Sequence, residues 1–280
     1  MKKITSGIYL EKDYPGVMIG AVPLGDGVLL IDSPLQPDDG RTWLATLRGL
    51  KGGSDRLLVY LDSHPDRTLG GRVMESTIIA HEHVYKIFDE RSSIFKPQLP
   101  ETGTSWETCS GLSGIRWMAP HIAFSKSTRL RWKDAEIILI HQPGPQPGAI
   151  WVNLPEEEVL FIGDLVTVTQ PPFLAEADLE AWEESLNALM EKEYNSYIKI
   201  SSRDGVVNDK DIRDMRKFIG SVKKHLERMA RRKNNSSAVE KLINKFLGQF
   251  DYPAHLHNHY YQRLHYGLEQ CYINQYLETE

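Results

Sequence analysis

The chain has 280 residues, which fits one large domain or a domain with an appendage. Hydrophobic residues make up 41% and charged residues 25%, as in a soluble globular protein, and the net charge of −5 gives no electrostatic argument for a nucleic-acid or membrane partner. The sequence has no apolar run of about 18 residues, so we expect no transmembrane helix. The basic start MKKITSGIYLEKD lacks the apolar stretch of a signal peptide, and the two cysteines form no disulfide framework. We therefore expect a cytoplasmic protein with free thiols.

The first third of the chain alternates strand and helix patterns. SGIYLE, GVMIGAVPLG and GVLLIDSPL are predicted strands separated by Gly and Pro. PDDGRTWLATLRGL has apolar residues at helical spacing, RLLVYLD and STIIAH are further predicted strands, and EHVYKIF is a short predicted helix. Residues 89–131 contain Pro, Gly and scattered Trp, which predicts a long irregular segment that covers a pocket.

Strand patterns then resume and give way to helices. DAEIILIH, GAIWVNL, EEVLFIGDL and NSYIKIS are predicted strands, and EADLEAWEESLNALMEK is a predicted helix with Asp178 as its N-cap. After residue 208 the sequence has amphipathic helical patterns only. We therefore predict an α/β domain over residues 1–208 and a helical extension over residues 209–280 that packs on it.

The stretch YLDSHPDRTLGG places four ionisable residues where a buried strand ends. They are Asp62, His64, Asp66 and Arg67, and a Gly-Gly pair follows. Polar residues at this end of a strand are where α/β proteins put their binding and catalytic groups. A charged loop that caps the strand is the alternative interpretation.

This stretch resembles the H-x-H-x-D-H motif of the metallo-β-lactamase superfamily. The frames GVLLIDSP, STIIAHEHV, PGPQPGAI, EEVLFIGDLV and IKISSRDG are similar to further segments of that family and follow in the family's order, over roughly three quarters of the chain. The resemblance implies an α/β (α+β) fold, a four-layer αββα sandwich with two mixed sheets face to face and helices outside. It also implies a pocket at one edge, lined by Asp62, His64, Asp66, Arg67, Gln146, Asp164 and Arg203.

The resemblance implies seven metal-ligand positions, and this sequence departs from the family at four of them. His64, Asp66 and Asp164 are unchanged, and Asp62 is a conservative exchange for His. The other three positions, Arg67, Pro145 and Arg203, cannot bind a metal ion, because a guanidinium stays protonated and proline has no side-chain donor.

Two hypotheses follow from these departures. In the first, dinuclear zinc hydrolysis is lost, no cofactor is held, and Arg67, Arg203 or both pair with Asp66 and Asp164. The protein would then bind a small anionic ligand or act as a binding or regulatory module.

In the second hypothesis the protein is a hydrolase of an ester, thioester or similar acyl substrate. Asp62, His64 and Asp164 would hold one Zn, Mn or Fe ion, and Asp66 would orient the attacking water. The family's nuclease branch is disfavoured, because its phosphodiester chemistry uses two metal ions.

Other segments favour structural roles. The tail HLHNHYYQRLH favours an aromatic packing helix over a metal site, and the basic run KKHLERMARRK, with its interspersed Glu, favours a solvated helix face over a nucleic-acid surface. We expect His81 and His141 to be structural. We expect Asp32 to be a hairpin turn residue that supports the site loop.

Overall fold

Two mixed β-sheets face each other at the centre of the molecule. The computed structural model describes residues 1–5, 7–50, 55–97 and 101–277. The first sheet has the order β1-β2-β3-β4-β5-β6-β7, with the strands Lys2–Thr5, Ile8–Glu11, Ile19–Leu24, Gly27–Ile31, Asp55–Val59, Thr77–His81 and Ile122–Phe124. The second sheet has the order β13-β12-β11-β10-β9-β8, and in chain order β8 to β13 are Ser127–Trp132, Ala135–His141, Ile150–Leu154, Val159–Phe161, Ile198–Ser201 and Gly205–Val207.

Helices cover the outer faces of both sheets. The α-helices α1 to α7 are Pro37–Leu47, Pro65–Thr68, Glu82–Glu90, Leu179–Ala188, Asp209–Arg231, Glu240–Leu247 and His257–Tyr276. Short 3₁₀ turns lie at Gly71–Met74, Ser105–Thr108, Lys192–Tyr194, Ser236–Val239 and Ala254–Leu256. Among the described residues, no helix has the length and apolar character needed to cross a membrane.

Three apolar clusters hold these layers together. Leu29 and Val59 of the first sheet pack with Val152 and Phe161 of the second, which forms the core between the sheets. β4 and β10 are buried along their whole length, as expected for strands covered on both faces. The predicted four-layer αββα sandwich is confirmed.

The outer cores explain where the helices sit. Trp43 of α1 and Val84 of α3 pack on the first sheet. Trp182 of α4, Phe218 of α5 and Leu264 of α7 belong to one cluster with the outer face of the second sheet. The helices after residue 208 thus share a core with that sheet, and the domain boundary at 208 stays a prediction.

The prediction of an irregular segment over 89–131 is wrong at its C-terminal end. Ile122–Phe124 forms β7, and Ser127–Trp132 forms β8 at the edge of the second sheet. β8 alternates exposed and half-buried residues, so it lacks the continuous apolar run that identifies the central strands.

Candidate functional site

Charged residues follow four strands at the same edge of the sandwich. Asp32 follows β4, Asp62 lies beyond β5, Asp164 beyond β11 and Arg203 beyond β12. β4 runs parallel to β5, and β11 runs parallel to β12, so each pair of strands ends at one edge. The fold therefore gathers polar side chains from both sheets.

The short helix α2 orients the residues of the DSHPDR stretch. His64 is its N-cap, and its Nδ1 accepts a hydrogen bond from the Asp66 backbone N–H at 3.3 Å. Pro65 occupies the first turn, where the missing N–H costs nothing. Asp62 Oδ1 accepts from the His64 N–H at 2.8 Å. These local bonds fix Asp66 and Arg67 on the buried side of the turn.

Arg67 is fully buried among three carboxylates. Its Nη1 donates to Asp32 Oδ2 at 2.9 Å and to Ser202 Oγ at 3.2 Å. Its Nε lies 2.9 Å from Asp62 Oδ1, and its Nη2 lies 2.6 Å from Asp164 Oδ1. The last two contacts are ion pairs by distance, without well-aligned hydrogen bonds.

Arg203 forms a second set of ion pairs and confirms the predicted pairing with Asp66 and Asp164. Its Nε donates to Asp164 Oδ1 at 3.0 Å and its Nη2 donates to Asp164 Oδ2 at 2.9 Å, a bidentate arrangement. Its Nη1 donates to Asp66 Oδ2 at 2.9 Å and to the Gly16 carbonyl oxygen at 3.2 Å. The guanidinium also stacks on Phe173, at 4.8 Å from the ring centre.

Gly16 allows this loop to approach the site. Its backbone has a φ of +105°, and a Cβ at this position would lie 2.6 Å from the Asp66 carbonyl oxygen. A side chain would therefore both strain the loop and push it away from α2. Glycine at this position keeps the carbonyl that Arg203 uses in place.

The charges of the network do not balance by themselves. Four buried carboxylates face two guanidinium groups. The pKa values of two of these carboxylates rise, and those of the other two fall. Burial raises the pKa of Asp32 to about 7 and of Asp62 to about 6, although Arg67 opposes both shifts. Burial would also raise the pKa of Asp66 and Asp164, but their cationic neighbours outweigh it, and the pKa of Asp66 falls to about 2. The pKa of Asp164 falls far below its usual range, mainly because of Arg203 and Arg67.

His64 is neutral in this environment. Burial lowers its pKa to about 4, and its ring packs on Phe173 with the ring centres 4.7 Å apart. Its Nδ1 lies 3.5 Å from Asp66 Oδ2, yet at neutral pH Arg203 is the charged partner that holds the Asp66 carboxylate ionised.

These residues, as arranged, do not fit a metal ion. Within residues 1–5, 7–50, 55–97 and 101–277, no three His, Cys, Asp or Glu side chains come together as a ligand group. Asp62 and Asp164 both contact Arg67, and the His64 Nδ1 lone pair accepts the Asp66 N–H. Pro145 lies beside His64 at the cavity wall but has no donor atom.

A cavity of about 570 Å³ lies next to the network. Of the seven residues predicted to line a pocket, His64 and Gln146 do so, and Ser63 Oγ donates to Gln146 Oε1 at 2.9 Å. The other five do not line this cavity, and their predicted place in a ligand pocket stays a prediction: Asp62, Asp66, Arg67, Asp164 and Arg203. Their side chains pair with each other and are buried beneath it.

The segment after α3 covers the cavity as predicted. The backbone N–H groups of Ser105 and Trp106 donate to the Asp66 carboxylate at 3.2 and 2.9 Å, so the ion-pair network anchors the lid. Trp106 and Trp117 line the cavity, and both contact Phe95 edge to face. The lid therefore supplies an apolar wall.

Asp66 presents no exposed acceptor to a catalytic water. Its side chain is fully buried and accepts from Arg203, Ser105 and Trp106. A group with a pKa of about 2 is also a poor general base. The geometry gives no support to the role expected for Asp66 in an active hydrolase.

Sequence reasoning missed two arginines of the cavity wall and understated Asp32. Arg263 of α7 is 2% exposed and lines the cavity, and Arg91 follows α3 and also lines it. Asp32 is a full member of the ion-pair network. The signal for Arg263 was an arginine in helical register with Tyr260 and Leu264, on the face that packs inward.

His81 and His141 have the structural role expected from the sequence. Their rings stack with centres 3.8 Å apart. The Nε2 of His81 pairs with the Ser125 carbonyl oxygen at 2.7 Å, and that of His141 pairs with the Pro147 carbonyl oxygen at 2.8 Å. Both rings thereby tie β6 and β9 to neighbouring loops.

Two facing mixed sheets, helices on both outer faces and a charged cluster at the strand ends together define the αββα class of sandwich proteins. Solved structures of this class are similar to the chain. A metallo-β-lactamase from Pontibacter korlensis matches with a TM-score of 0.62 and 16% identity, over 78% of this chain and 97% of its own. A metallo-β-lactamase from Hirschia baltica matches with a TM-score of 0.58 and 14% identity, over 78% of this chain and 96% of its own.

An inverting sec-alkylsulfatase from Pseudomonas sp. matches over more of the chain. The TM-score is 0.72 at 14% identity, over 98% of this chain, which spans about half (49%) of the sulfatase. No protein-family model and no curated protein sequence matches the chain. The chain has the metallo-β-lactamase fold.

Proposed function

We propose that this protein binds a small organic anion and that two arginines have replaced the metal ions of a dinuclear hydrolase. The observation that carries this proposal is the contact of Arg67 and Arg203 with Asp62, Asp66 and Asp164. A guanidinium has no lone pair, so it cannot hold a metal ion. The carboxylates that it binds are no longer available as ligands.

The loss of hydrolytic chemistry follows from the same contacts. A dinuclear site works by lowering the pKa of a bound water, which needs two cations with open positions. Here the positive charge is delocalised over two buried guanidinium groups, whose pKa values the carboxylates raise further against the cost of burial. Neither group can polarise a water in the cavity, because neither lines it.

The anionic character of the ligand is supported by the cavity wall. Arg91, Lys96 and Arg263 line the cavity together with Glu176. The sec-alkylsulfatase that matches most of this chain is named for sec-alkyl sulfates, which combine an anionic group with an apolar body. The cavity offers the same combination of cationic and aromatic side chains, and its size is ordinary for a ligand site.

The mononuclear hydrolase is the weaker alternative. It needs Asp62, His64 and Asp164 on one metal ion, and Asp62 and Asp164 would first have to lose their contacts with Arg67. That exchange would leave a fully buried arginine without two of its three carboxylate partners.

Metal analysis of the purified protein tests the proposal. The protein is expressed without added metal, and Zn, Mn and Fe are measured per chain by mass spectrometry. We expect well under one equivalent in total, with no change in the Asp62→Asn variant. Two tightly held equivalents would refute the proposal. One equivalent that the Asp62→Asn variant loses would favour the mononuclear hydrolase.

A further inference from the structure

Arg263 is a buried cation that the ion-pair network does not use. Its Nε donates to the Gly103 carbonyl oxygen at 2.6 Å, and its Nη1 donates to Gln170 Oε1 at 2.7 Å and the Pro171 carbonyl oxygen at 3.0 Å. All three acceptors are neutral, and within the part of the chain that the structure describes no acid pairs with it. The Nη2 of Arg263 has no acceptor among the described residues, and Arg263 lines the cavity.

The surroundings of Arg263 hold its guanidinium in place. The group lies over Phe173 at 4.0 Å and over Tyr260 at 4.8 Å from the ring centres. A Cβ on Gly103 would lie 2.5 Å from the Arg263 Cβ, so the lid passes directly over this side chain. Burial, and then the charge of Arg203, lower its pKa to about 9, which leaves it charged at neutral pH but poorly compensated.

Arg91 is a second cation of the same wall. Its guanidinium lies over Phe88 at 4.7 Å and over Trp117 at 4.6 Å, and its Nη1 is buried without an acceptor. Burial lowers its pKa to about 10, although the charge of Glu176 opposes this shift. Among the described residues, Arg91 forms no ion pair. Two arginines that stack on aromatic rings thus bring positive charge to one cavity, and neither forms an ion pair among the described residues.

We propose that Arg263 and Arg91 hold the acidic group of the ligand, and that this ligand is a monoanionic organic acid with a flat apolar body. The acidic group, a carboxylate, sulfonate or sulfate, accepts from Arg263 Nη2, and Arg91 adds the second charge. The body lies between Trp106, Trp117 and Phe95 of the lid. This inference rests on the proposed function and names the residues and the ligand class for it.

Glu176 restricts the ligand to a single negative charge. It lines the cavity, and its ionised carboxylate would repel a second anionic group beside it. A neutral hydrogen-bond donor on the ligand body would instead bind the Glu176 carboxylate. The cavity therefore suits a ligand that carries an acidic group at one of its ends only.

Calorimetric titration with three naphthalene probes tests the inference. The probes are 2-naphthoate, naphthalene-2-sulfonate and the neutral 2-naphthalenemethanol, which share one flat body. We expect the wild type to bind both anions about tenfold or more tightly than the alcohol, the effect of one charge-assisted hydrogen bond. The two anions distinguish a carboxylate site from a sulfonate or sulfate site.

Substitutions of Arg263 and Arg91 test whether these residues supply the positive charge that binds the anions. Arg263→Gln and Arg91→Gln should each weaken the two anions by about tenfold and leave the alcohol within about twofold. Arg263→Lys should lose less affinity for the anions than Arg263→Gln, because lysine keeps the positive charge although it lacks the planar set of guanidinium donors. Arg213→Gln, an exposed position on α5, is the matched control and should bind as the wild type does.

The outcomes separate this inference from the proposed function. If the wild type binds the anions and the Arg263 and Arg91 variants bind them equally well, the inference is wrong and anion binding stands. A wild type that prefers neither anion over the alcohol overturns both. If Arg263→Gln does not fold, as judged by circular dichroism, Arg263→Lys and Arg91→Gln decide the question.

Discussion

Replacing Arg203 by Met should destabilise the protein strongly, because it leaves buried Asp66 without a cationic partner and Asp164 with Arg67 alone. Arg203 is the bidentate partner of Asp164 and the only cation of the described residues that contacts Asp66 directly. Breaking a buried ion pair by removing one partner costs about 3–5 kcal/mol. Total stability of a domain is about 5–15 kcal/mol, so the variant would lose about a fifth of it or more.

The unfolding free energy that Arg203→Met loses should be smaller at acid pH, and the direction of this change follows from the pKa shifts. In the wild type the pKa values of Asp66 and Asp164 lie below the unfolded values, so both acids stabilise the fold above about pH 4 and lose this effect as the pH falls. In Arg203→Met one depressing charge is gone, so the pKa values of Asp66 and Asp164 rise, although Arg67 still contacts Asp164 and opposes the effect of burial there. The variant's acids then take up protons in the folded state as the pH falls, which relieves the repulsion.

Urea unfolding of wild type and variant at about pH 7.5 and about pH 5 measures both effects. The matched control is Arg129→Met, which removes an exposed pair with Glu136 and should cost less than about 1 kcal/mol. A variant as stable as the control, with the same difference from wild type at both pH values, would refute the ion-pair network as described.

Three further perturbations test other parts of the structure. His64 has a pKa of about 4 against an ordinary 6.5, so it stabilises the fold above about pH 6.5 and loses this effect as the pH falls toward 4. Asp32 and Asp62, whose pKa values are raised, act in the opposite direction over this window. Relative to the wild type, His64→Gln should therefore lower the slope of unfolding free energy against pH, and an unchanged slope would contradict a neutral His64. Gly71→Ala would place a Cβ 1.7 Å from the Tyr60 hydroxyl oxygen, so its melting temperature should fall by several degrees, and an unchanged value would mean that the turn relaxes freely. Trp106→Ala should weaken binding of 2-naphthoate and speed proteolysis of the lid, whereas normal affinity and resistance would exclude Trp106 from the cavity wall.

The layers of the fold could be predicted because the central strands have a strong sequence signal. GVLLI and IWVNL are continuous apolar runs and prove to be buried on both faces. The edge strand STRLRW has no such run, since one of its faces is exposed, and it was missed for that reason. The short strand Gly205–Val207 was missed because three residues give too little pattern to identify.

The ion-pair network could be predicted from charge, but the cavity could not. Asp66, Asp164, Arg67 and Arg203 fall on motif positions that the resemblance brings together, so their pairing followed from that resemblance and from charge balance. The side chain of Arg263 reaches the cavity from α7, about 60 residues after Arg203, through the packing of a helix that carries no motif. Local sequence contains no information about such a distant contact.

The two guanidinium groups cross between the sheets in opposite directions. Arg67 lies beyond β5 of the first sheet and contacts Asp164, which follows β11 of the second. Arg203 lies beyond β12 of the second sheet and contacts Asp66 of the first. A metal ion at this edge would hold ligands from both sheets and could be removed, whereas a guanidinium is covalently part of the chain and engages as the chain folds. The network therefore acts as a permanent cross-link between the sheets.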